Sequence, residues 1–388
     1  MNNFNKIPLE SNGNSSYPIL KLIKYNAFKK EIKINSKKSL FILFFPVVVL
    51  FICLIYYINY LLKIIKQLKT KNPTYYKKSK NFNSNLIPND TIIQPYIAAQ
   101  KDFCENQSKY INRKYEDEII LHDAKFKEFK FQIYVFKSMN FLIGELNAFG
   151  TFEFPVGNNM IDALKYYSIK YNILDNKDIF MIDIGGNVGW YPSLLGRFGY
   201  SIISFEAFEK NYYVEKKNMC LLNGYSNIII VTKGLGAEEK ICNYFIHKNN
   251  AGNGMVVCDK NDIINNTIPG FIKESEVEIT TLNSFIPYLS NKNIALMKLD
   301  VEGNELKVLN GGRELITKYH IPFVVLEFTP GTLKKLGSEP KELIKLFVDN
   351  GYKISIKGFL SNNYLSVDEF FVKAGKQINC YFTHNSIL

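Results

Sequence analysis

Histidine and cysteine are scarce in this chain of 388 residues, at four and six. His122, His247, His320 and His384 are far apart in sequence, with none of the close spacings that put two ligands on one helix face. Cys53, Cys104, Cys220, Cys242, Cys258 and Cys380 include no CxxC pair and no regular framework. A zinc ribbon, a disulfide miniprotein and a dedicated transition-metal site are therefore not expected, and no metal ligand is assigned. Basic charge is lacking over most of the chain, although the formal net charge is +12. Residues 1–80 hold 15 Lys and 2 acids, a net of +13, which leaves 48 − 15 = 33 basic and 36 − 2 = 34 acidic residues for 81–388. A body with a net of −1 does not carry the basic surface that phosphate-driven binding requires, so nucleic acid is not expected as a partner. The Lys-rich arm suits anionic lipid headgroups instead.

What is present begins with one long apolar run. Residues 41–62 read FILFFPVVVLFICLIYYINYLL without a charge, and at ~1.5 Å per residue they span ~33 Å as a helix. Forty polar, Lys-rich residues precede the run and no small-residue cleavage site follows it, so a retained single-pass anchor in a lipid bilayer is expected rather than a signal peptide. Five lysines within 15 residues on either side leave the positive-inside rule undecided. Glycosylation sequons at Asn89, Asn106 and Asn265 follow the run and one at Asn14 precedes it. The expected layout is a short cytoplasmic tail, 1–40, with the body in a secretory-pathway lumen, the endoplasmic reticulum or Golgi. There, the five cysteines after the run could form at most two intramolecular bridges.

Residues 63–118 mix Lys, Asn, Ser and Pro with little periodicity and read as a stem. From Ile119 the stretch ILHDAKFKEFKFQIYVF alternates like a pair of strands, and an amphipathic stretch covers 159–173. These form N-terminal additions, to about 178, of a domain covering 119–388. Its core is a series of Ile- and Val-rich runs at 179–184, 201–207, 227–232, 294–300, 322–328, 352–356 and 378–384, mostly separated by helix-length segments. That pattern predicts an α/β fold, a mostly parallel sheet with helices on both faces.

Two strand ends carry candidate chemistry. The first core strand runs into Asp183-Ile-Gly185-Gly186-Asn187-Val-Gly189, where glycines allow a tight turn and close approach of a ligand. Glu206 ends the second strand, where an acid can grip ribose hydroxyls. The GxGxxG fingerprint of dinucleotide folds fails at every start after Gly185, so the loop better suits a nucleoside without phosphates, such as S-adenosylmethionine. The fourth strand ends in Lys298-Leu-Asp300-Val-Glu302, whose alternation directs three ionisable groups to one face. Such groups on a buried strand are costly unless paired or functional. Glu305 is expected to cap the following helix.

These segments resemble the FkbM family of S-adenosylmethionine-dependent methyltransferases: IDIGGNVGWY (182–191), SFEAF (204–208), TTLNSFI (280–286) and above all LMKLDVEGNELKVLNGG (296–312). Glu145, the Gly150-Thr-Phe-Glu153 segment and PFVVLEFTP extend the likeness across 120–388. Asn283 departs from it, standing where the family usually has Asp. The resemblance implies a class I methyltransferase fold, Rossmann-like, a seven-stranded sheet whose last strand runs antiparallel, acting mainly on hydroxyls of sugars or other small molecules. Matched by position, Asp183, Gly185, Gly186, Asn187, Gly189 and Glu206 would line the cofactor. Lys298, Asp300 and Glu302 would border the acceptor, with Asp300 or Glu302 as the base. Two alternatives stay open: a nicotinamide-dependent oxidoreductase, disfavoured by the broken glycine fingerprint, and an inactive membrane-anchored scaffold that keeps the fold.

Overall fold

A computed structural model describes residues 91–222, 227–248, 250–258 and 270–388. The tail, the apolar run 41–62 and the first half of the stem, 63–90, lie outside the described residues. Among the described residues no helix is long and apolar enough to cross a membrane.

The first described element, α1 (Gln94–Glu105), belongs to the segment read from sequence as the end of the stem. It packs against the domain, with Phe103 buried and Cys104 bonded to Cys220. The stem therefore stops short of 118. Composition concealed this, because α1 buries few residues of its own and a covalent link across 116 positions holds it down. The expected strand pair follows as an antiparallel hairpin of β1 (Ile119–Phe126) and β2 (Phe129–Phe136), in register from Ile119 against Phe136 to Phe126 against Phe129. Next come α2 (Asn140–Phe149) and α3 (Phe154–Tyr171), the latter beginning five residues before the amphipathic stretch.

The seven apolar runs all form strands. They are β3 (Ile179–Ile184), β4 (Ser201–Phe205), β5 (Ile228–Val231), β10 (Asn293–Leu299), β11 (Phe323–Phe328), β12 (Tyr352–Ser355) and β13 (Ile378–His384), with β6 to β9 in a separate sheet. Their order is β12-β13-β11-β10-β3-β4-β5, and β13 alone runs against its neighbours. The single antiparallel strand is the one that the resemblance implied. Alternate residues of β3 enter two separate cores, Ile179 and Met181 on one face and Phe180, Ile182 and Ile184 on the other. Burial on both faces is why these strands read as continuous apolar runs. The first face is covered by the hairpin, α3, α4 (Trp190–Arg197) and α5 (Glu209–Cys220). The second is covered by α6 (Glu305–Gly311), α7 (Pro340–Asp349) and α8 (Val367–Ala374).

A second sheet, of β6 (Gly234–Leu235), β7 (Lys240–His247), β8 (Asn250–Val257) and β9 (Phe271–Thr280) in the order β6-β9-β7-β8, has no counterpart in the sequence reading. These strands are half exposed: β9 carries Lys273, Glu274, Ser275, Glu276 and Glu278, so no apolar run marks it. Cys242 and Cys258 are disulfide-bonded at the β7–β8 edge. With Cys104–Cys220 this makes two bridges, and Cys380 is free and buried.

Candidate functional site

The sheet order sets β3 between β4 and β10, so the carboxyl ends of three adjacent parallel strands meet where the strand order reverses, the crevice in which open α/β sheets bind ligands. β3 feeds the glycine loop. Gly185 has φ +83°, and a Cβ there would lie 1.8 Å from the carbonyl oxygen of Asp300, so only glycine lets the two loops touch. Asn187 also takes a left-handed φ of 51°. Its backbone N–H donates to Glu206 Oε2 at 2.7 Å, while Phe208 N–H donates to Oε1 at 2.8 Å. Burial raises the Glu206 carboxyl and these two backbone donors oppose that rise.

Lys298 is the hub of the charged side. Its ammonium lies 3.2 Å from Asp300 Oδ2 and 3.8 Å from Asp183 Oδ1, and donates to the Gly185 carbonyl at 3.2 Å. Burial pushes the ammonium down, but Asp300, Asp183 and Glu153 outweigh it and hold Lys298 above its usual value. Asp183 is fully buried and its carboxyl is pushed up to about 6 by desolvation, which Lys298 opposes. Glu302 sits beyond the end of β10 with φ 52°, so a left-handed turn rather than strand alternation aims it at the site. Glu305 does not simply cap α6: its carboxylate accepts from the N–H groups of Val301 at 3.2 Å and Gly303 at 3.1 Å and so braces the loop that carries Glu302.

Two cavities open on this crevice. One, of about 90 Å³, is lined by Glu206, Phe205, Asn211, Leu235, Tyr244 and Val256 among others, and among the described residues no Lys or Arg stands in its wall. The other, of about 340 Å³, is lined by Phe141, Phe152, Trp190 and Tyr191 and by Glu153, Lys298 and Glu327. Gly185, Asn187, Asp300 and Glu302 line both, so the cavities adjoin along those four residues. In the larger cavity Tyr191 Oη donates to Glu153, and Gln377 Nε2 donates to Glu327. Burial raises Glu153, Glu302 and Glu327, the last to about 8, and the Asp300 charge adds to each.

The family model of the methyltransferase FkbM domain matches residues 183–354. Over that stretch the chain is similar to the FkbM methyltransferase domain. It is 29% identical over 147 residues to Methyltransferase 1 of Beauveria bassiana (strain ARSEF 2860), a match covering 34% of this chain and 58% of that relative. The crystal structure of methyltransferase FkbM from Methylobacillus flagellatus KT is 17% identical with a TM-score of 0.32, covering 56% of this chain and 48% of that one. That of magnesium protoporphyrin IX methyltransferase from Synechocystis PCC 6803 with bound SAM is 13% identical with a TM-score of 0.32, covering 78% and 100%.

Among the predicted cofactor residues, Gly185, Asn187 and Glu206 line the smaller cavity. Gly186 lines the larger one, while Gly189 lines neither and instead ends the loop at the start of α4. Asp183 lines neither, being placed behind the loop, where it steadies Lys298. The expected acceptor residues Lys298, Asp300 and Glu302 do converge, all three lining the larger cavity. Asn283 lines neither cavity. Sequence reasoning gave no role to Tyr244 and Val256, which reach the crevice from the second sheet. It also gave none to Glu327, although that acid is the last but one residue of β11 as Glu206 follows β4, and the same strand-end rule would have marked it. Among the described residues no cluster of three or more His, Cys, Asp or Glu is placed to hold a metal ion.

Proposed function

We propose that this chain is an S-adenosylmethionine-dependent O-methyltransferase, anchored in a membrane, that methylates a hydroxyl of a sugar, glycan or small molecule. The observation that carries the reading is the pair of cavities adjoining at Gly185, Asn187, Asp300 and Glu302: a donor in one and an acceptor in the other would face each other across that line. The smaller cavity fits the nucleoside part of the cofactor. Glu206 stands where ribose hydroxyls would be gripped, Phe205, Leu235, Tyr244 and Val256 offer apolar walls, and a wall without Lys or Arg offers nothing to a pyrophosphate. When bound, S-adenosylmethionine supplies an activated methyl group on a sulfonium.

The chain's own part is alignment and proton management. Holding the acceptor oxygen in line is worth up to roughly 7 to 11 kcal/mol in well-oriented systems. A hydroxyl must lose its proton as it attacks, and Asp300, positioned by Lys298 at 3.2 Å and lining both cavities, takes it. Glu302 is the alternative base. Aromatic rings of Phe141, Phe152 and Trp190 face the acceptor beside these acids, a lining suited to a ring that is apolar on its face and hydroxylated on its rim. Two disulfides favour an oxidising compartment and so a lumenal body, with the apolar run 41–62 as the anchor.

The deciding experiment is calorimetric titration of S-adenosylhomocysteine into the full chain in detergent, with Glu206→Ala beside it, followed by transfer of labelled methyl to a panel of glycosides. Binding lost in the variant, and label on hydroxyl oxygen, are expected. A folded wild type that binds no S-adenosylhomocysteine would overturn the reading.

A further inference from the structure

One fully buried acid near the site has no use in the proposed mechanism. Glu215 lies on α5, fully inaccessible, with the Ser204 hydroxyl as the polar side chain beside its carboxyl. Its carboxyl is aimed at the underside of the glycine loop. A Cβ on Gly186 would sit 2.7 Å from Glu215 Oε1 and 2.2 Å from the Ser204 hydroxyl, and one on Gly189 would sit 2.7 Å from Glu215 Cγ. Asn211, Glu215 and Asn218 form a buried polar stripe at spacings of four and three, one face of the helix. Each member serves the crevice: Asn218 Nδ2 donates to the Val188 carbonyl at 2.7 Å, and Asn211 lines the smaller cavity.

The electrical surroundings argue that this acid is uncharged. The groups facing it are Asp183 at the end of β3, Ser204 on β4 and Glu206 beyond it, two acids and a hydroxyl. Lys216, next along its own helix, is turned onto the rings of Phe103 and Tyr212. Burial raises the Glu215 carboxyl well above its usual value; the Ser204 hydroxyl and the Lys216 charge oppose the rise, and the two neighbouring acids add to it.

We propose that Glu215 is the positioning residue of the cofactor loop, a buried carboxyl that fixes Gly186 and Gly189 from below and so sets the affinity for S-adenosylmethionine. Ionising it would place a charge beside Asp183 and Glu206, with Lys216 turned onto its aromatic neighbours as the nearby cation, and the loop above would shift. This inference rests on the cofactor reading above.

The test titrates S-adenosylhomocysteine into the full chain in detergent at pH values from about 6 to 9.5, for wild type, Glu215→Gln and Glu215→Ala. Wild-type affinity should fall as pH rises through the titration of Glu215, by up to about tenfold per pH unit. Glu215→Gln, neutral at every pH, should bind as the wild type does at neutral pH and decline less, the remainder coming from Glu302 and Glu327. Glu215→Ala should bind about tenfold more weakly throughout, the loss of one well-placed polar contact. A merely structural role would lower the melting temperature and leave the pH profile in place. The proposal is overturned if the decline is unchanged in Glu215→Gln, if Glu215→Gln binds as weakly as Glu215→Ala, or if Glu215→Ala binds like wild type. A wild type that binds nothing at any pH removes the cofactor reading, and this one with it.

Discussion

Replacing Gly185 with alanine tests whether the crevice is built as described. A Cβ at that position would lie 1.8 Å from the Asp300 carbonyl oxygen, against the 3.0 Å that real Cβ contacts keep, so one backbone must retreat by 3.0 − 1.8 = 1.2 Å. Neither is free to do so cheaply. The Asp300 N–H is bonded to the Ile184 carbonyl at 3.0 Å, and both the Gly185 and Gly186 N–H groups are bonded to the Phe205 carbonyl. A left-handed φ of +83° adds roughly 1 to 2 kcal/mol for any residue with a Cβ, and overpacking adds roughly 1 to 3. The expected loss is about 2 to 5 kcal/mol by urea denaturation, or a fall in melting temperature of about 5 to 15 °C. Gly144→Ala is the control: it lies within α2, is exposed, and has nothing within 4 Å of its would-be Cβ, so it should stabilise by roughly 0.5 to 1 kcal/mol. Because Gly185 and Asp300 line both cavities, the shift should also weaken S-adenosylhomocysteine by about 100-fold in calorimetry. A Gly185→Ala protein within about 1 kcal/mol of wild type, binding with unchanged affinity, would refute the contact between the two loops.

Lys298→Met leaves Asp183 buried without its cation and should cost roughly 3 to 5 kcal/mol in urea, with the midpoint as the readout. Asp300→Asn should keep cofactor affinity and lose roughly 10²- to 10⁴-fold in labelled-methyl transfer; full turnover would return the base to Glu302. For Asp183 the folded value is raised from 3.8 to about 6, so its contribution is present below 3.8 and lost as pH rises through about 6, an interval worth about 3 kcal/mol. Asp183→Asn should therefore gain on wild type as pH rises across that window, seen in urea midpoints at several pH values. Serine replacement of Cys104 and Cys220, which close a loop across 116 positions, should cost more than replacement of Cys242 and Cys258, which are 16 apart. Chain entropy gives about 5 and 3 kcal/mol for loops of those lengths.

The seven strands were legible because each is buried on both faces and thus apolar throughout, and the glycine loop because left-handed backbone leaves a chemical trace in residue type. Glu206 and Asp300 were legible as acids at strand ends, where a parallel sheet gathers its ligands. The second sheet was not, since its half-exposed strands alternate with charge and gain their order from pairing across distant segments. Nor was the role of Asp183: its residue type suggested a ligand contact, but only the packing of β10 against β3 shows that Lys298 stands between it and the cavities. Residue types and spacings along one strand are local, and sequence by itself determined those. Which side chains share a cavity, which acid is sealed beneath a loop and which cysteines meet depend on contacts between separate segments, up to 116 positions apart for Cys104 and Cys220 and 113 for Lys298 and Gly185, and only the tertiary structure could decide them.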